Sequence, residues 1–295
     1  MGRAMDALYP VQLSDWTSIP TATLKRAAGE ALETGQVLFL PQLSFALRET
    51  ELALLSPALS NGRAKNISLD PSGRLKHSAV SDAEHESLRS MMERFAKSAV
   101  TLVGNLFPGY VPKLERARTS YRPVEIAGRK SSPVKDDSRL HVDAFPTRPL
   151  AGRRILRLFS NINPHGAPRL WHVGEPFEAM AQKILPKVRE PMAVAPYLLA
   201  AVGATRGVRS HYDNLMLGLH DGAKCDEAYQ RDCTHHAIAF PAGSTWMCFT
   251  DQVMHAALAG QYVLEQTFHL DIDVMAEPQR APIRVLERMT GRVLA

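Results

Sequence analysis

The sequence predicts a mostly β protein, with a sandwich or barrel core preceded by a helix-rich N-terminal region. Two observations predict this class. From about residue 113 onward, many short strand-like runs are separated by glycine, proline and other turn residues. Before that point, the strongest pattern is a single long amphipathic helix. The chain has 295 residues, 45% of them hydrophobic, which is enough to bury a large core.

The elements of the N-terminal region are predicted from apolar spacing and helix-capping signals. Residues 20–35 should form a helix, followed by the short strand QVLFLP and a second helix near residues 47–58. The best-defined helix starts at Ser81, because Ser81 and Glu84 have the spacing of a capping box. The apolar residues that follow repeat at alternating intervals of three and four, which places them on one buried face.

The β core is predicted from short apolar runs with turn residues between them. We expect residues 1–112 to pack on a β core formed by residues 113–295. A helical insertion is expected near residues 176–205, and a tail should follow the last strand. The strand-like runs are ARTSYRPVEI, RRILRLFSNI, PRLWHV, NLMLGLH, HAIAFP, STWMCF and VLEQTFHLDIDV.

Composition excludes several classes of function. The formal net charge is +5, but no run of basic residues predicts a nucleic-acid-binding tail. The modest positive charge suits an anionic substrate or a membrane face. The apolar windows are too short to span a bilayer, and the first residues lack the apolar run of a signal peptide. We therefore expect a cytoplasmic protein.

The cysteines argue against a disulfide framework and against a cysteine–zinc site. There are three of them, Cys225, Cys233 and Cys248, and none has CxxC spacing. An odd number of cysteines without such spacing fits a reducing compartment.

A metal site is predicted from the triplet His141-Val142-Asp143. On a strand, residues two apart point to the same face and lie about 6.6 Å apart along the chain. His141 and Asp143 can therefore converge on one ion, and His255, just beyond the STWMCF strand, is the expected third ligand in a loop. Two histidines and one carboxylate form the facial triad of non-haem iron(II) oxygenases. The same residues could bind zinc.

Other histidines in the chain are weaker candidates. The triplets His211-Tyr212-Asp213 and His269-Leu270-Asp271 repeat the H-x-D pattern. The first leaves too little chain before His255 to complete a barrel, and no histidine follows the second. The neighbours His235 and His236 would face opposite sides of a strand.

An oxygenase of this kind that uses 2-oxoglutarate must also bind the far carboxylate of that co-substrate, and arginine does this best through a bidentate pair. Strand alternation in RRILRLFSNIN places Arg157 and Asn161 on one face and Arg154 on the other. Apolar residues flank Arg157, so its charge needs a partner if that face is buried. The alternative is that Arg157 extends to solvent. Arg153 and Arg154 are expected at the surface.

With these residues assembled, the chain resembles the Kdo hydroxylase family. Kdo, 3-deoxy-D-manno-oct-2-ulosonic acid, is the acidic sugar of the lipopolysaccharide inner core of Gram-negative bacteria. The resemblance covers most of the chain. It is carried by KNIS at 65–68, HVDAFPTRPLAGRRILRLFSNINP at 141–164, WHVGEPFE at 171–178, YDNLMLGLHDGAKCD at 212–226 and FPAGSTWMCFTDQVMHAALAGQ at 240–261.

The resemblance implies a double-stranded β-helix, or jelly-roll, core of the cupin kind. It implies an iron(II)- and 2-oxoglutarate-dependent dioxygenase with its iron on the positions matching His141, Asp143 and His255. The implied reaction uses O2 and hydroxylates Kdo at C3, in the lipopolysaccharide inner core or in Kdo-lipid A, to give Ko. A lipid-linked lipopolysaccharide precursor as substrate implies transient contact with the inner face of the inner membrane, without insertion.

One departure from the wider 2-oxoglutarate superfamily affects the predicted anchor. Many of its members carry an arginine on the strand after the distal histidine, but YVLEQTFHLDI contains no arginine or lysine. The expected anchor for 2-oxoglutarate is therefore Arg157, with Asn161 on the same face and Gln266 as a helper.

Residues that could bind the anionic substrate are the basic and polar ones inside the family-like stretches. They are Lys65, Asn66, Tyr121, Arg122, Arg148 and Lys224. Two other functions remain open at this point. One is a zinc-dependent or isomerase-type cupin enzyme with the same ligands, and the other is a non-catalytic jelly-roll that binds an anionic glycan.

Overall fold

The computed structural model describes residues 7–189, 200–201 and 203–295. Within these ranges, the longest α-helix lies in the N-terminal region, and several shorter helices lie between residues 177 and 232. The α-helices of the described residues include α1 (Ala22–Glu33), α2 (Asp82–Leu106), α3 (Phe177–Ile184), α4 (His211–Cys225), α5 (Glu227–Asp232) and α6 (Pro282–Thr290).

The strands form two sheets. The major sheet has the order β1-β2-β9-β6-β11-β5-β3-β4, and the minor sheet has the order β10-β7-β8. The strands are β1 (Leu8–Pro10), β2 (Val37–Leu40), β3 (Ile67–Leu69), β4 (Leu75–Lys76), β5 (Leu114–Arg122), β6 (Arg154–Asn161), β7 (Arg169–Gly174), β8 (His235–Phe240), β9 (Thr245–Phe249), β10 (His255–Ala259) and β11 (Val263–Leu270).

The two sheets pack face to face through aromatic side chains. Phe159 of the major sheet contacts Trp171 of the minor sheet edge to face, with ring centroids 5.0 Å apart. Phe240 of the minor sheet stacks on Trp246 of the major sheet at 4.1 Å. Such pairs add to the free energy gained from burying the rings. The predicted sandwich-like β core is therefore present, and it is closed on one side by these rings.

The N-terminal region is part of the same sheet rather than a separate layer. Its four strands, β1 to β4, occupy both edges of the major sheet. Helix α2 packs against β5 and β11, and the predicted apolar face of the helix is fully buried at Leu88, Met91 and Phe95. The capping box between Ser81 and Glu84 is formed. One hydrophobic cluster thus joins residues on both sides of the predicted division at residue 112.

Two predicted elements differ in the structure. The expected helix near 47–58 consists of short 3-10 turns, Glu49–Leu54 and Pro57–Leu59. Pro57 lacks a backbone N–H and disfavours helical geometry at the residue before it, so a continuous α-helix cannot cross this position.

The run NLMLGLH, predicted as a strand, lies inside α4. Ser210 and Asp213 form a capping box at the start of this helix. The periodicity of such a short apolar run does not distinguish a helix from a strand. The helical insertion expected near 176–205 begins with α3, and residues 190–199 and 202 lie outside the described residues.

Candidate metal centre

The backbone of two chain segments brings His141, Asp143 and His255 together. His141 and His255 form an isolated antiparallel bridge, with both N–H···O=C bonds made at 3.0 and 2.9 Å. The N–H of Asp143 donates to the carbonyl of Thr250 at 2.7 Å. One ligand atom from each of the three side chains lies within 4.8 Å of the other two. His255 was expected in a loop, but it is the first residue of β10.

The hydrogen bonds of both imidazoles leave the same nitrogen free. Nδ1 of His141 lies 2.7 Å from the carbonyl oxygen of Arg139, and Nδ1 of His255 lies 2.8 Å from that of Val253. A carbonyl only accepts, so each Nδ1 carries the proton and each Nε2 keeps its lone pair. Burial lowers the pKa of both histidines, which favours the neutral form that a metal requires.

Asp143 supplies the negative charge of the cluster. Burial alone would raise the pKa of its carboxyl, but the positive charge of Arg157 and the polar histidines outweigh burial and hold the pKa well below its usual value. Its Oδ2 is buried and makes no hydrogen bond among the described residues. Two neutral imidazoles and an ionised carboxylate fit a divalent metal ion of the iron(II) kind.

A cluster of arginines and one buried glutamate surrounds this centre. Nε of Arg157 lies 3.0 Å from Oδ2 of Asp143, and its Nη1 donates to Oε1 of Glu265 at 3.1 Å. Glu265 also accepts hydrogen bonds from Arg122. These arginines face one cavity with the three predicted ligands. The cavity is lined by Arg122, Asp137, His141, Asp143, Arg157, Phe159, Arg169, Trp171, His255 and Ala257.

Arg169 reaches the cavity from the minor sheet. Its Nη1 donates to the carbonyl of Gly260 at 2.6 Å, whereas its Nε is buried without a hydrogen-bond partner among the described residues. Burial lowers the pKa of the guanidinium to about 9, and the nearby charge of Arg122 acts in the same direction. Gly260 has φ +106°, and a Cβ there would lie 3.1 Å from Cα and Cδ of Arg169. This close approach holds Arg169 against the cavity wall.

Trp171 forms part of the same wall. Its ring stacks on that of His255, with centroids 5.2 Å apart, and its indole N–H has no partner among the described residues. The sequence reasoning missed both Arg169 and Trp171. The strand PRLWHV was predicted, and its alternation puts these two residues on one face, but no motif indicated that this face covers the metal site.

Two residues predicted to bind 2-oxoglutarate do not line the cavity. Gln266 pairs with Leu158 across the major sheet, so it faces away from Arg157, and its side chain bonds to Thr119 at 2.7 Å. Asn161 shares the face of Arg157, but its amide donates to the carbonyls of Ala167 and Phe240 farther along the strand. Glu265, next to Gln266, occupies the cavity face instead.

The predicted anchor, Arg157, lies in the cavity with its charge already shared by Asp143 and Glu265. The alternative expectation, that the side chain of Arg157 extends to solvent, is wrong. The expectation that Arg154 lies at the surface is also wrong. Its side chain is fully buried and pairs with Asp251 at 2.7 Å, because its face of β6 packs against the core rather than solvent.

The predicted substrate residues separate into two groups. Arg122 lines the cavity, and Lys65 and Lys224 both approach Asp137 at its border. Asn66 is next to Lys65 and has a buried Oδ1 without a hydrogen bond among the described residues.

Tyr121 and Arg148 lie elsewhere. The hydroxyl of Tyr121 is buried and donates to the carbonyl of Leu54, since alternation turns Tyr121 away from the face of Arg122. Arg148 pairs with Glu115 at 3.0 Å outside the cavity and is 40% exposed.

The alternative ligand candidates named from the sequence lie away from this centre. In the described part of the chain, His141, Asp143 and His255 are the one cluster of three potential ligands. Asp213 caps α4 rather than facing a histidine. His235 stacks on His172 at 4.2 Å on the minor sheet.

The two packed sheets and the cluster of two imidazoles with one carboxylate define a class of protein: mononuclear metalloenzymes with a facial triad. The profile of the family described as 3-deoxy-D-manno-oct-2-ulosonic acid (Kdo) hydroxylase matches residues 15–293. The chain therefore belongs to the Kdo hydroxylase family. None of the curated protein sequences that were compared matches the chain.

Solved structures of the Kdo hydroxylase KdoO, a non-haem Fe(II) α-ketoglutarate-dependent dioxygenase, are similar over almost the whole chain. The complex with cobalt(II) is 45% identical, with a TM-score of 0.95, and the match covers 98% of this chain and 97% of that one. The complexes with α-ketoglutarate and Fe(III) and with succinate and Fe(III) are each 44% identical, with TM-scores of 0.94, and cover the same shares.

These similarities confirm the main predictions made from the sequence. The fold is the predicted jelly-roll core, and the protein is a non-haem iron(II) 2-oxoglutarate-dependent dioxygenase of the Kdo hydroxylase family. The cupin alternatives, a zinc or isomerase enzyme and a non-catalytic glycan-binding protein, are not supported. None of the helices in the described ranges is long and apolar enough to cross a bilayer.

Proposed function

We propose that His141, Asp143 and His255 hold the iron(II) of this enzyme, and that it hydroxylates Kdo at C3 to form Ko in a Kdo-containing lipopolysaccharide precursor. The observation that carries the proposal is the convergence of three ligand atoms within 4.8 Å of one another. Both imidazoles present Nε2 to that point, and the one carboxylate is ionised.

Iron(II), with 2-oxoglutarate and O2, supplies the oxidising power to replace a C–H bond by C–OH. The residues of the chain bind and orient the groups that react. Arg157 lies 3.0 Å from Asp143 and fixes the direction of this carboxylate. Glu265 in turn holds Arg157 and Arg122 in place from one buried position. Such outer partners set the geometry of the ligand that they contact.

The co-substrate anchor is better assigned to Arg169, assisted by Arg122, than to Arg157. Two donors of Arg157 already face carboxylates. Arg169 has a buried Nε without a partner among the described residues, and the repulsion between Arg169 and Arg122 would be relieved by a carboxylate that binds between them. A guanidinium suits this role because its donors match a carboxylate in a bidentate pair.

The anchor is tested by titrating 2-oxoglutarate into the anaerobic iron(II) protein and following the metal-to-ligand charge-transfer absorption. Hydrogen bonds to charged groups contribute about 1.5–3 kcal/mol. Arg169→Ala should therefore weaken 2-oxoglutarate binding by one to two orders of magnitude, at about 1.4 kcal/mol per decade. Arg153→Ala, which removes a guanidinium paired with Glu115 outside the cavity, is the matched control. Unchanged affinity in Arg169→Ala would return the anchor to Arg157.

The activity is tested by incubating the protein with Kdo-lipid A, iron(II), 2-oxoglutarate and labelled O2. The proposal expects one added oxygen on Kdo by mass spectrometry, with one succinate formed per product. Lipopolysaccharide from cells with and without the protein should differ by the same oxygen. Activity with zinc alone, or product formed without 2-oxoglutarate, would contradict the proposal.

A lipid-linked substrate also requires access to a membrane, and we propose transient contact of a cytoplasmic protein with the inner face of the inner membrane. The residues near the cavity support this, because Lys130, Val134 and Lys135 are all exposed in one loop. Basic and apolar side chains together favour an anionic lipid surface. Salt-sensitive cosedimentation with vesicles that contain anionic lipid tests this contact, with neutral vesicles as control.

A further inference from the structure

Two lysines from distant parts of the chain converge on one carboxylate. Nζ of Lys65 lies 2.7 Å from Oδ1 of Asp137. Nζ of Lys224, in the last turn of α4, lies 3.8 Å from the same oxygen and donates to the carbonyl of Val134 at 3.1 Å. Since both ammonium groups reach one oxygen, they are close enough to bind a single oxyanion together.

This lysine pair, Lys65 and Lys224, borders the metal cavity. Asp137 lines that cavity, and its backbone carbonyl accepts a hydrogen bond at 2.7 Å from Ala257, on the strand that begins with His255. Asp137 also lines a second, adjoining cavity with Lys65. The pair therefore lies where the two cavities meet.

The charges around the lysine pair leave a positive excess. The second cavity is lined by three basic residues, Lys65, Arg129 and Lys135, against two acidic ones, Asp136 and Asp137. Lys224 adds a fourth positive charge, and its side chain is only 2% exposed. A buried ammonium that is not fully compensated costs free energy, and an anionic ligand would remove part of that cost.

We propose that the lysine pair binds the carboxylate of the acidic sugar; this inference rests on the proposed function. In Kdo, a single carbon separates the carboxylate carbon, C1, from C3, where the hydroxyl is introduced. The carboxylate of a bound Kdo therefore lies close to the metal cavity, and the lysine pair borders that cavity through Asp137. A phosphate of the lipid portion is separated from C3 by at least one sugar, so it does not need a cation there.

The test measures binding of two probes to the purified full-length protein without metal or 2-oxoglutarate. The probes are the methyl glycoside of Kdo and its carboxamide, which lacks the charge, and calorimetry gives the two affinities. The intact protein should prefer the carboxylate by about 10–100-fold, the size expected for charged hydrogen bonds. Lys65→Met and Lys224→Met should each remove about tenfold of this preference.

Two variants keep the test decisive. Lys65 is one-third exposed, so Lys65→Met should fold even if Lys224→Met does not, and Lys65→Arg should keep the preference because the charge remains. Lys113→Met is the matched control, since Lys113 is 55% exposed and contacts only Asp271, at 3.9 Å, among the salt bridges of the described residues.

Three results would overturn the inference. In the first, Lys65→Met leaves the preference for the carboxylate unchanged. In the second, both probes lose affinity equally in the variants. In the third, separate titrations show that the variants lose iron or 2-oxoglutarate affinity while they keep the preference for the carboxylate, which would make the lysines supports of the metal centre. By contrast, a protein that prefers the carboxylate but makes no hydroxylated product would contradict the proposed function and leave the lysine site intact.

Discussion

Strand β6 carries a paired arginine on each face, fully buried on one and mostly buried on the other, and the two faces have different roles. Arg154 is fully buried in the core, where it pairs with Asp251, bonds to Gln252 at 2.6 Å and lies over the ring of Phe249 at 3.8 Å. Arg157, three residues later, pairs with Asp143 and Glu265 beside the metal cavity. Both arginines thus have polar partners, and ion pairing alone does not distinguish the functional one.

The carboxylates that face the two arginines do distinguish them. Burial raises the pKa of Asp251, and the charge of Arg154 only partly offsets that effect. Asp143 is also mostly enclosed, but Arg157 and the histidines outweigh burial, so its pKa is lowered. On the core face burial works against the charge of Asp251, which depends on Arg154, whereas on the cavity face Asp143 stays ionised, as a metal ligand must. A buried ion pair marks a functional site only when further polar groups converge on it.

The largest expected effect is on the cavity face itself. His141→Ala, Asp143→Ala or His255→Ala should abolish turnover and lower iron affinity by more than the roughly 100-fold seen for outer partners, while the protein still folds. Cobalt(II) titration and circular dichroism measure the two quantities. His211→Ala and His235→Ala should keep most of the activity. An inactive His211→Ala beside an active His255→Ala would show that the wrong H-x-D triplet had been chosen.

On the core face, Arg154→Met should cost stability rather than co-substrate affinity. Removing one partner of a buried ion pair leaves Asp251 uncompensated, which costs about 3–5 kcal/mol. Urea unfolding measures this loss, and the 2-oxoglutarate affinity of the folded variant should change little. The double variant Arg154→Met with Asp251→Asn should recover part of the stability. If the single variant binds 2-oxoglutarate much more weakly, the two faces are not independent.

Arg157→Ala should act on the metal more than on the fold. Asp143 loses the group that orients it, so iron affinity should fall by about 10–100-fold. Arg157→Lys should restore only part, because a single ammonium cannot contact Asp143 and Glu265 as the guanidinium does. Metal titration with and without 2-oxoglutarate separates the two roles. A loss confined to 2-oxoglutarate, with iron affinity intact, would restore Arg157 as the anchor.

The smallest effect concerns pH. His269 lies on the same face as Arg157, opposite Ile155, and burial lowers its pKa to about 4, with Arg148 acting in the same direction. A histidine whose folded pKa is below its unfolded value of about 6.5 supports stability above that value. This contribution to stability is lost as the pH falls from about 6.5 to about 4, by about 1.4 kcal/mol per pH unit at most. His269→Gln should therefore make the free energy of unfolding depend less on pH between pH 6.5 and 4. If the variant loses stability with falling pH as steeply as the intact protein, His269 is not the cause of that loss.

The sequence by itself determined the local pattern of the protein. Strand alternation put His141 and Asp143 on one face, and apolar spacing with a capping box predicted α2. The same alternation correctly separated Arg154 from Arg157. These inferences hold because side-chain direction within one strand or helix depends on the backbone of that element alone.

Only the tertiary structure decided what each face meets. No pattern in the chain indicated that the strand with Arg169 and Trp171 covers the metal site, because that contact joins two sheets. Sequence reasoning made Gln266 a helper of the 2-oxoglutarate anchor. In the structure, the pairing of β11 with β6 turns Glu265 toward the cavity and Gln266 away from it. A shift of one residue in strand register reverses every side chain, and register is set by partners far away in the chain.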